Sequence, residues 1–273
     1  MTATELSRDQ RPEGWSGGAR GYAEWFAPLS SQYVPDALQL LRLKPGERLL
    51  DIAAGTGTLT LGASDAGIHV TAVDFAPGMV QFLRERLREV GVQSRVEEMD
   101  GQALAFGDGE FHAACSMFGL IFFPDLAAGA REMRRVVRPG GRVLVAVWDR
   151  SRFRLGSVVQ QALREAVPEL SGSEDRVPAS MRLAEPARLE ALLVEAGLRE
   201  VALLEVTHDW VVRDPVGLFR SLPTWAAPHE AIFERLEPAQ LERASARFAE
   251  AVAQMATRSG GLPATALFGH GIR

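Results

Sequence analysis

Three aspartates mark where this sequence can do chemistry. Asp51 ends the run Arg48-Leu49-Leu50 and is followed by a turn with glycines at 55 and 57, then by a predicted helix over 58–66. Asp74 ends a second apolar run (Ile68, Val70, Ala72, Val73), and Asp100, with Gly101 and Gln102, ends a third over 94–99. A strand, a glycine turn and a helix N-terminus form a nucleotide cradle, because only glycine lets a ligand approach the backbone so closely. The acid at the first strand's end sets the charge of the ligand. It repels a pyrophosphate and attracts a ligand carrying a cationic amino group. The dinucleotide fingerprint also asks for a third glycine where this chain has Thr60. The residues therefore read as a site for an adenosine-bearing cation rather than NAD. Asp74 is placed to accept both ribose hydroxyls. Singly, each strand-end acid could be a helix cap. Three in succession, at the carboxyl ends where open α/β sheets bind ligands, point to one site.

Positioning these acids requires strands that alternate with helices, the pattern of a parallel sheet. Pro77 starts a helix with Met79, Val80, Leu83, Leu87 and Val90 at 3–4 spacing, stopped by Gly91. Pro124-Asp125 opens another that carries Met133, Val136 and Val137 inward, and Arg138-Pro139-Gly140-Gly141 ends it. The segments 111–118 and 142–148 read as strands, the second nearly all apolar as at the centre of a covered sheet. Leu189, Leu192, Leu193 and Ala196 mark a helix ending at Gly197, with strands expected over 201–212 and 264–272.

The series DIAAGTG, VTAVDFAPGMV, MDGQALAFGDGEF, SMFGLIFFPD and RRVVRPGGRVLVAVW resembles, in order and spacing, class I S-adenosylmethionine-dependent methyltransferases. The similarity is to the ubiquinone/menaquinone-biosynthesis type and its natural-product relatives, and it spans about Arg48 to Trp148. One residue departs from the family pattern: its first glycine is Ala53 here. The resemblance implies a Rossmann-like α/β fold, a doubly wound, mostly parallel seven-stranded sheet with an antiparallel last strand and a helical lid. It divides the chain into an N-terminal helical cap (1–46), a core (47–213), a lid (214–258) and the last strand (259–273). It implies S-adenosyl-L-methionine as cofactor, held by Asp51, Ala53, Gly55, Thr56, Gly57, Asp74, Phe75, Met79, Asp100, Gly101, Gln102, Ser116 and Met117. Phe75 would lie against the adenine.

Composition agrees with a small-molecule enzyme. At 273 residues the chain suits one large domain or a domain plus a lid. A net charge of −5 argues against a general nucleic-acid or anionic-membrane surface. The one cysteine, Cys115, lies in an apolar strand and reads as an inert buried thiol, and no Cys/His cluster has metal-ligand spacing. The N-terminal residues have no apolar segment of secretory type, and no run approaches the roughly 20 residues of a membrane helix. The expectation is a cytoplasmic monomer or homodimer with no membrane insertion.

Two aromatic-rich regions flank the core in sequence and are candidates to hold the acceptor. The insertion over 214–258, roughly 45 residues between neighbouring strands, is far longer than usual connections and reads as a lid or as a cover for the sheet edge. Tyr22, Trp25, Phe118, Phe122, Trp148, Phe219 and Trp225 are the expected acceptor contacts. Methyl transfer needs mainly alignment of nucleophile, methyl carbon and leaving sulfur. Where a proton must leave, His208 (in a strand), His229 (in the insertion) and Tyr22 are the candidates, each with a plain structural alternative. The expected acceptor is a small, largely apolar aromatic or heteroaromatic molecule; the alternative is a non-catalytic ligand-binding or regulatory protein on the same fold. Asp51 and Thr60 yield one direct test. NADH titrated into the protein should produce no binding heat, and saturable NADH binding would overturn the choice of cofactor.

Overall fold

Strands that are apolar on both sides must be covered on both faces, and this requirement shapes the molecule. The computed structural model describes residues 6–149, 151–167, 183–226, 230–257 and 261–273. Among the described residues, four short α-helices precede the sheet: α1 (Glu13–Ser16), α2 (Ala19–Trp25), α3 (Ala27–Ser30) and α4 (Val34–Leu41). The alternating half follows, with β1 (Arg48–Ile52), α5 (Thr58–Asp65), β2 (His69–Asp74), α6 (Pro77–Glu89) and β3 (Arg95–Glu98). It continues through β4 (Phe111–Met117), α7 (Leu126–Val136), β5 (Val137–Trp148), α8 (Leu155–Ala166), α9 (Pro186–Glu195) and β6 (Arg199–Trp210). The insertion contains α10 (Pro215–Trp225), α11 (Glu230–Phe233) and α12 (Pro238–Met255), and β7 (Leu262–Ile272) comes last.

The seven strands run in the order β3-β2-β1-β4-β5-β7-β6. β1 pairs in parallel with β2 and β4, and β7 is antiparallel to both β5 and β6. The order reverses between β1 and β4, which opens a crevice at their carboxyl ends, where sheets of this kind bind ligands. The first turn of α6 shows how local sequence sets an element. Pro77 supplies a fixed φ at the helix start, and Met79, Val80, Leu83 and Leu87 are buried at 3–4 spacing. Asp125 caps α7 by accepting the Ala128 N–H at 2.8 Å. Among the described residues no helix is long and apolar enough to cross a membrane.

The structure departs from the sequence expectation in several places. Arg138 to Gly141 does not simply end α7: these residues open β5, whose pairing with β4 shifts register between Phe111 and Ala113. β6 starts at Arg199, ahead of the predicted edge. A helix absent from the sequence reading, α8, buries Val158, Val159, Ala162, Leu163 and Ala166 at helical spacing.

One apolar cluster unites three stretches of chain. Phe26 and Tyr33 from the N-terminal helices, Leu49, Leu144 and Ala146 from the sheet, and Phe219, Leu222 and Phe248 from the insertion all belong to it. The Tyr33 hydroxyl donates to the Ala264 carbonyl at 2.6 Å, tying the N-terminal helices to β7. Phe219 and Phe248 are fully buried, their centroids 5.2 Å apart. Phe248→Ala should therefore cost about 3–5 kcal/mol by loss of burial and cavity creation. Urea unfolding measures it, and a loss below about 1 kcal/mol would mean that α12 contributes little to the core.

Candidate functional site

The turn between β1 and α5 is held open by carboxylates rather than by glycine alone. Asp74 at the end of β2 accepts the Gly55 N–H at 2.8 Å through one oxygen and the Ala76 N–H at 2.9 Å through the other. Asp51 at the end of β1 is buried and accepts the Thr60 hydroxyl at 2.6 Å. The residue that breaks the dinucleotide fingerprint thus serves the strand-end acid. Burial, the larger effect, pushes the Asp51 carboxyl up to about 7, opposed by the Thr60 hydrogen bond and reinforced by the neighbouring Asp74 charge. Burial likewise raises Asp74 to about 6 against the backbone N–H groups that it accepts. Among the described residues neither carboxylate has a Lys, Arg or His partner.

The turn's residues divide between ligand side and protein side. Gly55 is left-handed (φ 55°) and a Cβ there would meet nothing within 4 Å, so this position faces open space. A Cβ on Gly57 (φ 83°) would lie 2.1 Å from Leu83 Cδ1, so the second glycine serves packing. Thr56 is buried, with its hydroxyl unpartnered and its carbonyl accepting from Arg86 at 3.0 Å. Ala53, the departure from the family glycine, is left-handed at φ 55°, where a Cβ is strained. Its methyl group has a place because the facing residue is Gly119: a Cβ built on Gly119 would lie 2.4 Å from that of Ala53.

A cavity of about 540 Å³ opens over this turn. It brings together Tyr22, Ala53, Gly55, Asp74, Phe75, Met79, Asp100, Gly101, Gln102, Met117, Phe118 and Phe122 of the predicted set. Asp51, Thr56, Gly57 and Ser116 support it from below and do not line it. Ser116 accepts the Leu120 N–H at 3.0 Å and so fixes the turn that carries Phe122. Gln102 donates to Asp100 at 3.0 Å and accepts the Asp125 N–H at 2.8 Å, which ties the third acid to the α7 cap.

Other expected contacts lie elsewhere. Trp148 is buried between Phe118 and Phe153. Phe219 and Trp225 are buried in the shared core, and Trp25 packs against α10 beside Gly217. Hydrophobic burial against α2, α8 and α12, rather than a ligand, accounts for these rings. His208 lies away from the cavity, paired with Asp36 at 2.8 Å and set edge-on to Tyr33. His229 falls outside the described residues. Tyr22 lines the cavity, and burial, aided by the Asp74 charge, pushes its phenol far above the ordinary tyrosine value. Its proton is held at neutral pH, so the hydroxyl stands at the cavity as a hydrogen-bond donor.

The sequence reading gave Trp15 only as part of the N-terminal aromatic region and named no site role for Glu98, Met99, Gly119 or Phe123; all five line the cavity. Trp15 meets Phe122 edge-on at 4.7 Å and donates to the Asp9 carbonyl at 2.9 Å, closing a roof over the opening. The signal for its position was Gly78: a Cβ there would lie 2.0 Å from the Ser16 carbonyl oxygen, so α1 rests directly on the start of α6.

These residues fit an adenosine-bearing sulfonium. An uncompensated carboxylate pair suits its positive charge, Gly55 leaves backbone room, and Phe75, Met79 and Met99 offer apolar surface to a flat base. The comparisons agree. Residues 49–141 match the family described as methyltransferase domain. A demethylmenaquinone methyltransferase of Beutenbergia cavernae is 36% identical over 179 residues, covering 62% of this chain and 73% of that protein. The chain belongs to the class I S-adenosylmethionine-dependent methyltransferase family. An uncharacterized protein of Mycobacterium tuberculosis is 38% identical over 125 residues, 46% of this chain, and the chain spans only 44% of that relative's length. The fold is that of YcgJ from Bacillus subtilis (TM-score 0.56, 18% identity, 89% of this chain and 98% of that one). It is also that of the cyclase SpnF (TM-score 0.55, 23% identity, 89% and 80%).

The Ala53 and Gly119 pair makes a reciprocal prediction. Gly119→Ala should weaken cofactor binding at least about tenfold, roughly 1.4 kcal/mol, by driving the Ala53 methyl out of place. Adding Ala53→Gly should restore it. Calorimetry in which the double variant is no better than the single would separate the two positions.

Proposed function

We propose that the protein transfers the methyl group of S-adenosylmethionine to a small, largely apolar aromatic or heteroaromatic acceptor of the quinone or natural-product type. The observation that carries this reading is the buried pair Asp51 and Asp74, without a cationic partner among the described residues, under a glycine turn that opens on an apolar-walled cavity. When bound, S-adenosylmethionine supplies a methyl group activated by its sulfonium.

The protein's contribution is to orient and to exclude water. Asp74 keeps the Gly55 N–H fixed and has remaining lone pairs for ribose hydroxyls. Phe75 is the proposed partner of the adenine, and Asp100 or its adjoining backbone of the exocyclic amine. Tyr22 offers a proton-bearing hydroxyl at the same cavity, and Trp15, Met117, Phe118 and Phe122 offer the apolar wall against which an acceptor ring can lie. The relatives named demethylmenaquinone methyltransferase support a quinol-type acceptor. The N-terminal helices and the insertion are proposed to frame the acceptor side, the insertion by supporting α2 from behind.

A second reading, ligand binding without turnover, has in its favour that the same fold carries a cyclase. Methyl-labelled S-adenosylmethionine incubated with quinols and hydroxylated aromatic acids distinguishes the two. Label in an organic-extractable product, with release of S-adenosylhomocysteine, supports transfer; tight cofactor binding without product across the panel supports the second reading.

The raised carboxyls also predict a pH dependence. An unfolded aspartate titrates near ~3.9, so both groups hold their protons more tightly when folded. Their contribution to stability is therefore complete below about pH 4 and is lost as pH rises through about 6 to 7. A cationic ligand prefers the ionised pair, so its affinity should rise over that same window. The groups facing Asp51 are Thr60, Asp74 and Cys115, none of them cationic. S-adenosylmethionine should bind several-fold more tightly at pH 8 than at pH 5.5, and Asp51→Asn should flatten the profile while raising the melting temperature of the ligand-free protein at pH 8. A pH-independent affinity in the wild type would remove the pair from cofactor binding.

A further inference from the structure

A second cavity, of about 230 Å³, lies between α8, α12 and the edge where β6 ends and β7 begins. Among the described residues it shares no lining residue with the first. A pile of three rings separates them. Phe118, on the wall of the first cavity, stacks on Trp148 at 3.9 Å and 8°, and Trp148 stacks on Phe153, on the wall of the second, at 4.3 Å and 20°.

The described walls of this cavity are apolar apart from Arg154, with Val158, Trp210, Phe248, Val252 and Met255 among them. Arg154 is the one charged residue of its lining among the described residues. Two residues earlier, Arg152 is held by Glu205 at 2.7 Å and Asp149 at 3.4 Å. Arg154 has no such partner among the described residues, and its side chain is exposed. An apolar hole with one free guanidinium at its rim selects an amphipathic anion. The planar fork of arginine matches a carboxylate through two parallel N–H donations, and the walls require a body without polar groups. The size sets the body. An apolar cavity of roughly 150 Å³ takes up benzene, so this one has room for an aromatic ring carrying a second ring or a branched substituent.

We propose that the second cavity binds an aromatic monocarboxylate, its rings enclosed by α8, α12 and Trp210 and its carboxylate on Arg154. The ring pile keeps this ligand away from the cavity assigned to the cofactor, so it binds without being transformed. Binding there requires only the second cavity and Arg154, whatever reaction the first cavity carries out.

The test uses 2-naphthoate and its uncharged analogue 2-naphthamide, titrated calorimetrically into the full chain with and without S-adenosylhomocysteine. The expected result is saturable naphthoate binding that S-adenosylhomocysteine does not displace, with naphthamide at least about tenfold weaker. Arg154→Gln should lower naphthoate affinity to the level of naphthamide and leave naphthamide unchanged. Met255→Trp, which fills the cavity from its rim, should abolish binding of both. Unfolding midpoints of the variants verify that each is folded. The proposal is overturned if the wild type binds no naphthoate, if Arg154→Gln binds it as tightly as the wild type, if S-adenosylhomocysteine competes with it, or if naphthoate is converted to its methyl ester.

Discussion

The ligand cavity depends on one carboxylate. Asp74 divides its two oxygens between the Gly55 and Ala76 N–H groups, and so fixes the glycine turn, the end of β2 and the entry to α6 with a single side chain. Charge-assisted hydrogen bonds of this kind are among the stronger ones available to a protein. They also leave the carboxylate in a place where its charge is poorly solvated. The molecule thereby places a negative site beside an open backbone and leaves its compensation to whatever binds there. Asp51, one strand away and equally buried, extends that field, and Thr60 keeps its orientation.

Much of this arrangement can be read from residue order. Acids at the ends of β1 and β2, glycines after the first, and a covered apolar β5 suffice to predict a doubly wound sheet and the end of it that matters. What could not be read is which of the supporting residues touch the ligand. Asp51 and Gly57 belong to the motif, yet one lies beneath the turn and the other packs on Leu83. Motif membership reports a constraint and does not say whether a ligand or a neighbour imposes it.

The aromatic residues teach the same lesson from the other side. Phe219 and Trp225 carry the apolar character expected of a binding wall, but helix-on-helix burial claims them, while Trp15, on a helix of only four residues, reaches the cavity. Large rings in sequence are equally suited to core and site, since both environments reward apolar area. Only the close approach of α1 to Gly78 distinguishes them, and that contact is long-range. The Ala53 and Gly119 exchange was invisible for a related reason: the two positions are far apart in the chain and complementary only in space.

The position of β7 has a consequence for the life of the chain before it is folded. The last strand enters the sheet between β5 and β6, antiparallel to both, and its start is also the acceptor for the Tyr33 hydroxyl. Until β7 has been synthesised, β6 has no partner in the sheet and β5 presents an unpaired apolar edge. Such edges invite pairing with other chains, and contacts of this sequence separation form slowly. During translation the chain must therefore hold α8, α9 and the insertion in place beside an incomplete sheet. An incomplete sheet of this kind exposes apolar surface and an unpaired edge until its last strand arrives.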